Sequence, residues 1–178
     1  GPLEAQPSES LYKTYLINLV APARLAQAVL PAMKRQHAGR IVNIGSIFGS
    51  ISFAHFASYS SSKAGLRSLS QAMRRELAET GVGVTYVAPR AVKTPLNSAK
   101  VLEFARLTGM AMDEPGKIAR LIVEAVETDR TDVYLGFPEA LFVHVNALFP
   151  RLVDRALRSG DAKARSLFHP HPKIGGSQ

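Results

Sequence analysis

Residues 40–46 read Arg40-Ile41-Val42-Asn43-Ile44-Gly45-Ser46, a short run rich in β-branched residues that stops at a glycine and a serine. An apolar run of this length, with no polar alternation, predicts a buried strand over residues 40–44, with Ser46 just beyond its carboxyl end. Upstream, Leu11, Tyr15 and Leu19 recur at helical spacing behind Ser8, a fitting N-cap, and the pattern continues through Leu25, Val29 and Met33. Pro22 should kink this long helix, and Lys34, Arg35 and His37 before Gly39 supply its stop signal. Downstream, Leu66, Leu69, Met73 and Leu77 mark one face of a helix that begins near Ala57 and ends before Gly81. A second strand over residues 84–88 is halted by Pro89. Residues 95–112 read as short helical pieces of a mobile lid, followed by a helix over 115–127 and a strand over 132–135. Helices alternating with strands require parallel strands joined by helical crossovers, which is an α/β layered fold. Three strands leave one edge of the sheet unpaired, so the expectation is an incomplete sheet.

The composition bounds the rest. The chain has 178 residues, 46% hydrophobic and 20% charged, which suits one globular domain with one core. We take residues 1–159 as that domain and 160–178 as a basic, flexible tail. The absence of cysteine excludes disulfides and thiolate metal sites. The five histidines show no metal-ligand spacing, so no metal is expected, and His169-Pro170-His171 falls in the tail. The formal charge of +8 comes from basic residues scattered singly on helices and from the carboxyl end, without the aromatic interleaving of a single-strand platform. No nucleic acid is expected. The longest nearly apolar stretch, residues 140–149, is too short to cross a bilayer, and the amino terminus lacks signal-peptide order, so a cytoplasmic location is expected. The apolar residues Leu141, Val145 and Leu148 are expected to pack on the subunit or a neighbouring copy, in preference to anionic lipid.

Chemistry enters with Tyr59 and Lys63. Four residues apart, they share one helix face, where an ammonium can stabilise a phenolate. A tyrosine working as a base near neutrality must have its phenol brought down from about 10, a change on the order of 4 kcal/mol, and Lys63 is placed to supply it. Ser46 lies thirteen residues before Tyr59 and directly after a buried strand. Ligands of open α/β sheets sit at the carboxyl ends of their strands, where a serine hydroxyl can polarise a carbonyl while a tyrosine moves the proton. The second strand ends at the same rim in Ala88-Pro89-Arg90-Ala91-Val92-Lys93-Thr94-Pro95.

Over nearly its whole length the chain resembles the short-chain dehydrogenase/reductase family, through Ser46, Tyr59, Lys63 and Asn18, the last within Tyr15-Leu16-Ile17-Asn18-Leu19. The resemblance implies a Rossmann-like doubly wound parallel sheet, present here as its carboxyl-terminal strands and helices only. It implies an oxidoreductase that interconverts a secondary alcohol and a ketone with NAD or NADP. Tyr59 becomes the general acid/base, Ser46 orients the substrate oxygen, Lys63 lowers the tyrosine and holds the nicotinamide ribose, and Asn18 anchors a relay water. Pro89, Val92 and Thr94 become further cofactor contacts. Arg90 stands where the family usually has glycine. The glycine-rich phosphate turn that the family carries upstream is missing, so the alternative is a non-catalytic fragment that oligomerises without holding cofactor. Ile47, Phe48, His55, Phe56 and Leu96 are expected to line a pocket for a bulky apolar substrate. The family's habit implies a homodimer or homotetramer.

Overall fold

The computed structural model describes residues 1–168 of the chain. Its first helical stretch comprises α1 (Ser8–Tyr15), a π-helical segment (Leu16–Val20) and α2 (Ala21–Gln36) without a break. The expected kink at Pro22 takes the form of that π segment. Pro22 has no N–H to donate to the carbonyl of Asn18, and widening the preceding turn accommodates the missing bond. By length and composition this continuous helix could cross a membrane, so residues 140–149 are not the longest apolar stretch to weigh on that question. One side of it packs along α3 (Ala57–Glu76). Tyr15 shares a 2.6 Å hydrogen bond with Ser61, and Leu19 lies against Gly65, where a Cβ would meet its side chain at 2.8 Å.

The sheet has the order β1 (Gly39–Ile44), β2 (Val82–Pro89), β3 (Asp132–Leu135), all parallel, with Ile41 paired to Val84 and Val87 to Val133. Central β2 is buried almost throughout and runs longer than the apolar pattern alone marks. Its alternation feeds two cores. Val82 and Val84 face Ala26 of α2 and Met73 of α3, whereas Val87 faces Ile118 and Ala125 of α5 (Pro115–Glu127) on the other side. Helices therefore cover both faces of the sheet, as parallel strands require. Truncating a fully buried member such as Leu66 would cost about 2–5 kcal/mol.

Between β2 and α5 lies α4 (Ala99–Thr108), capped by Ser98 and ended by Gly109 in the left-handed region. After β3 come α6 (Glu139–Leu148) and α7 (Pro150–Phe168). The expected boundary at residue 160 falls inside α7, because Ala164 is buried and Phe168 meets Phe56 and Phe104, so the helix has a packing reason to continue. His169, Pro170 and His171 lie outside the described residues.

Candidate active site

The carboxyl end of β1 runs through Gly45 into Ser46, whose backbone is still extended. The Ser46 hydroxyl accepts from Phe48 N at 3.1 Å and caps a single 3-10 turn, Ile47–Gly49. Gly49 lets that turn rest on the backbone of α3: a Cβ there would lie 2.8 Å from the carbonyl carbon and oxygen of Lys63. This contact brings the serine loop onto the first turns of α3. Tyr59 sits there with its phenol facing the Ser46 side chain. One turn on, Lys63 donates to the carbonyl of Ile44 at 3.0 Å, with Nζ 5.9 Å from the Tyr59 ring centroid. Asn18 reaches the group through α3: its Nδ2 donates to Ser62 Oγ at 3.1 Å, and Ser62 Oγ donates to the Tyr59 carbonyl at 2.8 Å. Ser46, Tyr59 and Lys63 thus meet at one rim of the sheet, and Asn18 buttresses them from the π segment.

The electrostatics depart from expectation. Burial pushes the Tyr59 phenol above its ordinary value, and the Ser46 side chain offsets this only in part. Burial also lowers the Lys63 ammonium. Lys63 does not hold the phenol down here, because its ammonium is directed to the Ile44 carbonyl and desolvation outweighs attraction over that distance.

The turn after β2 closes the rim. Pro89 is buried and paired with Leu135, Val92 bridges Asp113, and the carbonyl of Thr94 accepts from Asn97 N at 3.1 Å. Arg90 folds away from this turn to form two hydrogen bonds with Asp113 and one with Glu139.

A cavity of about 400 Å³ opens beside the 3-10 turn that follows Ser46, with Ser46 and Tyr59 themselves outside its lining. Of the five side chains expected there, Ile47 and Phe48 line it. The other three do not. Phe56 packs edge-on against Phe48 and Phe104, His55 stacks on Phe168 at 4.5 Å, and Leu96 is 94% exposed. His55 has a positive φ, which turns the loop so that its side chain leaves the pocket for α7. Their places are taken by Phe53, Phe142, Leu152 and Leu157. The apolar periodicity of 141–149 could have signalled an element for such a wall, but not its destination.

A second groove, about 330 Å³, follows the unpaired edge of β1 and is lined by Asn18, Asn43, Ile44 and Lys63. The amides of Asn18 and Asn43 and the ammonium of Lys63, at the carboxyl end of a parallel strand, fit the nicotinamide ribose end of a dinucleotide. For a pyrophosphate the fit fails, since neither Gly45–Gly49 nor Gly81–Gly83 opens a helix amino terminus from a strand.

Residues 1–103 match the family described as short chain dehydrogenase. A ketoacyl reductase, HetN, from Nostoc sp. is 34% identical over 157 residues, covering 84% of this chain and 53% of that protein. Among solved structures, a short-chain dehydrogenase from Streptomyces avermitilis superposes with a TM-score of 0.71 at 30% identity, over 93% of this chain and 66% of that one. A short chain dehydrogenase from Burkholderia cenocepacia, in complex with NADP, superposes with a TM-score of 0.74 at 24% identity, over 88% and 62% of the two chains. The chain spans about half the length of the curated relatives it matches.

Proposed function

The chain belongs to the short-chain dehydrogenase family, and from that premise we propose that it is the catalytic portion of an oxidoreductase that uses NAD or NADP to interconvert a secondary alcohol and a ketone on a bulky apolar substrate. One observation carries the reading: a phenol lies against a serine side chain at the carboxyl end of a parallel strand, with a lysine one turn away. A bound nicotinamide supplies the hydride donor or acceptor. The chain's own groups handle the oxygen. Ser46 donates to the substrate oxygen, and Tyr59 gives that oxygen a proton as the carbonyl carbon is reduced. A phenol kept protonated by burial suits the reductive direction. Lys63 holds the ribose, Asn18 anchors a relay water, and Pro89, Val92 and Thr94 flank the nicotinamide. The apolar lining of the cavity supports a large, lipophilic carbonyl compound, a class that includes the ketoacyl group in HetN's name. Exposed Tyr12, Leu16 and Val20 on the long helix support self-association, to be measured by light scattering.

Tyr59→Phe in the full-length enzyme should abolish turnover while leaving the fold intact; retained activity would remove Tyr59 from its role. A second reading, a scaffold fragment without cofactor, is favoured by the lack of a phosphate turn among the described elements. Titrating the 178-residue chain with NADH and NADPH separates the two, since micromolar binding by this chain alone refutes the scaffold.

A further inference from the structure

The cavity beside the turn that follows Ser46 opens at the join of α6 and α7, and this corner is apolar where the surface should be polar. Phe137 is 77% exposed, Leu148 73%, Phe149 62% and Leu152 58%. Leu141 is also exposed, two helical turns before Leu148 on the same side of α6. Contiguous exposed side chains of this size mark a surface that meets something. Beside them, Arg151, Arg155 and Arg158 stand at i, i+4 and i+7, on one outward face of α7 opposite buried Val153 and Ala164. None of the three has a salt-bridge partner among the described residues, and Asp154 is the single acid between positions 151 and 158.

Two considerations choose the occupant. Phe142 and Leu152 are exposed and also line the cavity, so they form its mouth. A protein seated there would shut the site, whereas a lipid layer leaves it open to compounds dissolved in that layer. Unpaired guanidinium groups beside large apolar side chains complement an anionic lipid surface, while the same stripe would meet itself unfavourably in a twofold contact between copies. The corner also lies beyond β3, at the far end of the sheet from the unpaired edge of β1.

We propose that the α6–α7 corner docks on an anionic lipid surface and that the cavity draws its apolar carbonyl substrate from that layer. The second half rests on the oxidoreductase reading; the docking does not. The chain therefore lies on the surface through Leu148, Phe149 and Leu152, with Arg151, Arg155 and Arg158 among the headgroups.

The test is co-sedimentation of the chain with phosphatidylcholine vesicles, with and without about one third phosphatidylglycerol. The unmodified protein should pellet with the anionic vesicles, and added salt should weaken that binding. Leu148→Ser with Phe149→Ser, and separately Arg151→Glu with Arg155→Glu, should each lower the bound fraction about tenfold at unchanged circular dichroism. The charge variant touches only exposed positions, so it keeps the test valid if the apolar variant misfolds. Absence of vesicle binding by the unmodified chain would overturn the proposal. So would undiminished binding by both variants, which would assign the lipid contact to the long amino-terminal helix, or an apolar variant that turns an oligomer into a monomer, which would make the corner a protein interface. Tyr59→Phe must bind vesicles as well as the parent; if the unmodified full-length enzyme turns over no apolar ketone or secondary alcohol with NADH or NADPH, the oxidoreductase reading fails and the docking stands.

Discussion

Arg90 grips Asp113 with the Nε and Nη2 edge of its guanidinium, Nε to Oδ2 at 2.8 Å and Nη2 to Oδ1 at 3.0 Å. The same two stretches of chain are tied by backbone bonds, Asp113 N to the Ala91 carbonyl and Lys93 N to the Asp113 carbonyl, each 2.9 Å. The segment carrying α4 is therefore a loop whose two ends are pinned together beside the active-site rim. The third donor of Arg90 reaches Glu139 at 3.0 Å and so ties in the start of α6.

Removing the arginine leaves a buried carboxylate with only the exposed Lys117, 3.6 Å away, as its ionic partner among the described residues. Asp113 is almost fully buried, so Arg90→Leu should cost about 3–5 kcal/mol, while Arg90→Lys, which keeps the charge but loses the two-pronged geometry, should cost less. Chemical denaturation of the two variants measures this. Near-equal losses would show that the fork geometry contributes nothing.

The same pair makes stability depend on acid. The Arg90 guanidinium holds the Asp113 carboxyl below the usual aspartate range, burial opposing it in part. With its pKa depressed in the folded state, the group contributes stability that is present above the unfolded value of about 3.9 and is lost as pH falls through the lower folded value. Unfolding free energy should thus decline on acidification below about pH 4. In Asp113→Asn that part of the decline should vanish, and a slope unchanged by the substitution would discharge Asp113 from it.

Local pattern made the candidate rim legible. The β-branched run of β1 stops at Gly45, so the position of Ser46 at a strand end followed from the sequence, and the spacing of Tyr59 and Lys63 placed both on one helix face. The order of helices and strands was readable for the same reason, since each element carries its own period. The cavity wall was not. Phe142, Leu152 and Leu157 reach the loop of Phe48 through packing between segments nearly a hundred residues apart, and no local period encodes which helix returns to which loop. Leu96, expected in the pocket, is left in solvent by the turn held by Asn97, whose Nδ2 donates to the Val92 carbonyl at 2.7 Å. The protonation of Tyr59 escaped for a different reason: burial and the direction of an ammonium are three-dimensional facts, and spacing gave only the distance along the helix.

Gly49 should be as sensitive as a catalytic position without touching substrate. A methyl there meets the backbone of Lys63 at 2.8 Å, and backbone cannot rotate aside as a side chain can. Gly49→Ala must lift the Ser46 loop off α3 and draw Ser46 away from the Tyr59 phenol. We expect turnover in the full-length enzyme to drop about a hundredfold or more, with a smaller loss of binding, because an ångström of misplacement costs that much in a positioned reaction. Steady-state kinetics decide it, and an unaltered turnover number would show that the loop absorbs the methyl.

Alkaline titration of the tyrosines tests the burial argument directly. Tyr59 is raised by burial, and Tyr86, wholly buried beneath the Ser46 backbone, is raised further, to about 12. Each group therefore binds its proton more tightly when folded, so its contribution to stability is complete below the unfolded value of about 10 and is lost as pH rises beyond it. Phenolate absorbance followed upward in pH should show Tyr59 ionising above the ordinary value of about 10, with Tyr86 ionising last or on unfolding. In Tyr59→Phe the step that precedes Tyr86 should disappear and the alkaline loss of stability should become shallower. If instead Tyr59 ionises below 10 in the free chain, the ammonium of Lys63 must leave the Ile44 carbonyl and turn to the phenol, and the raised, protonated phenol inferred for the reductive direction would be wrong.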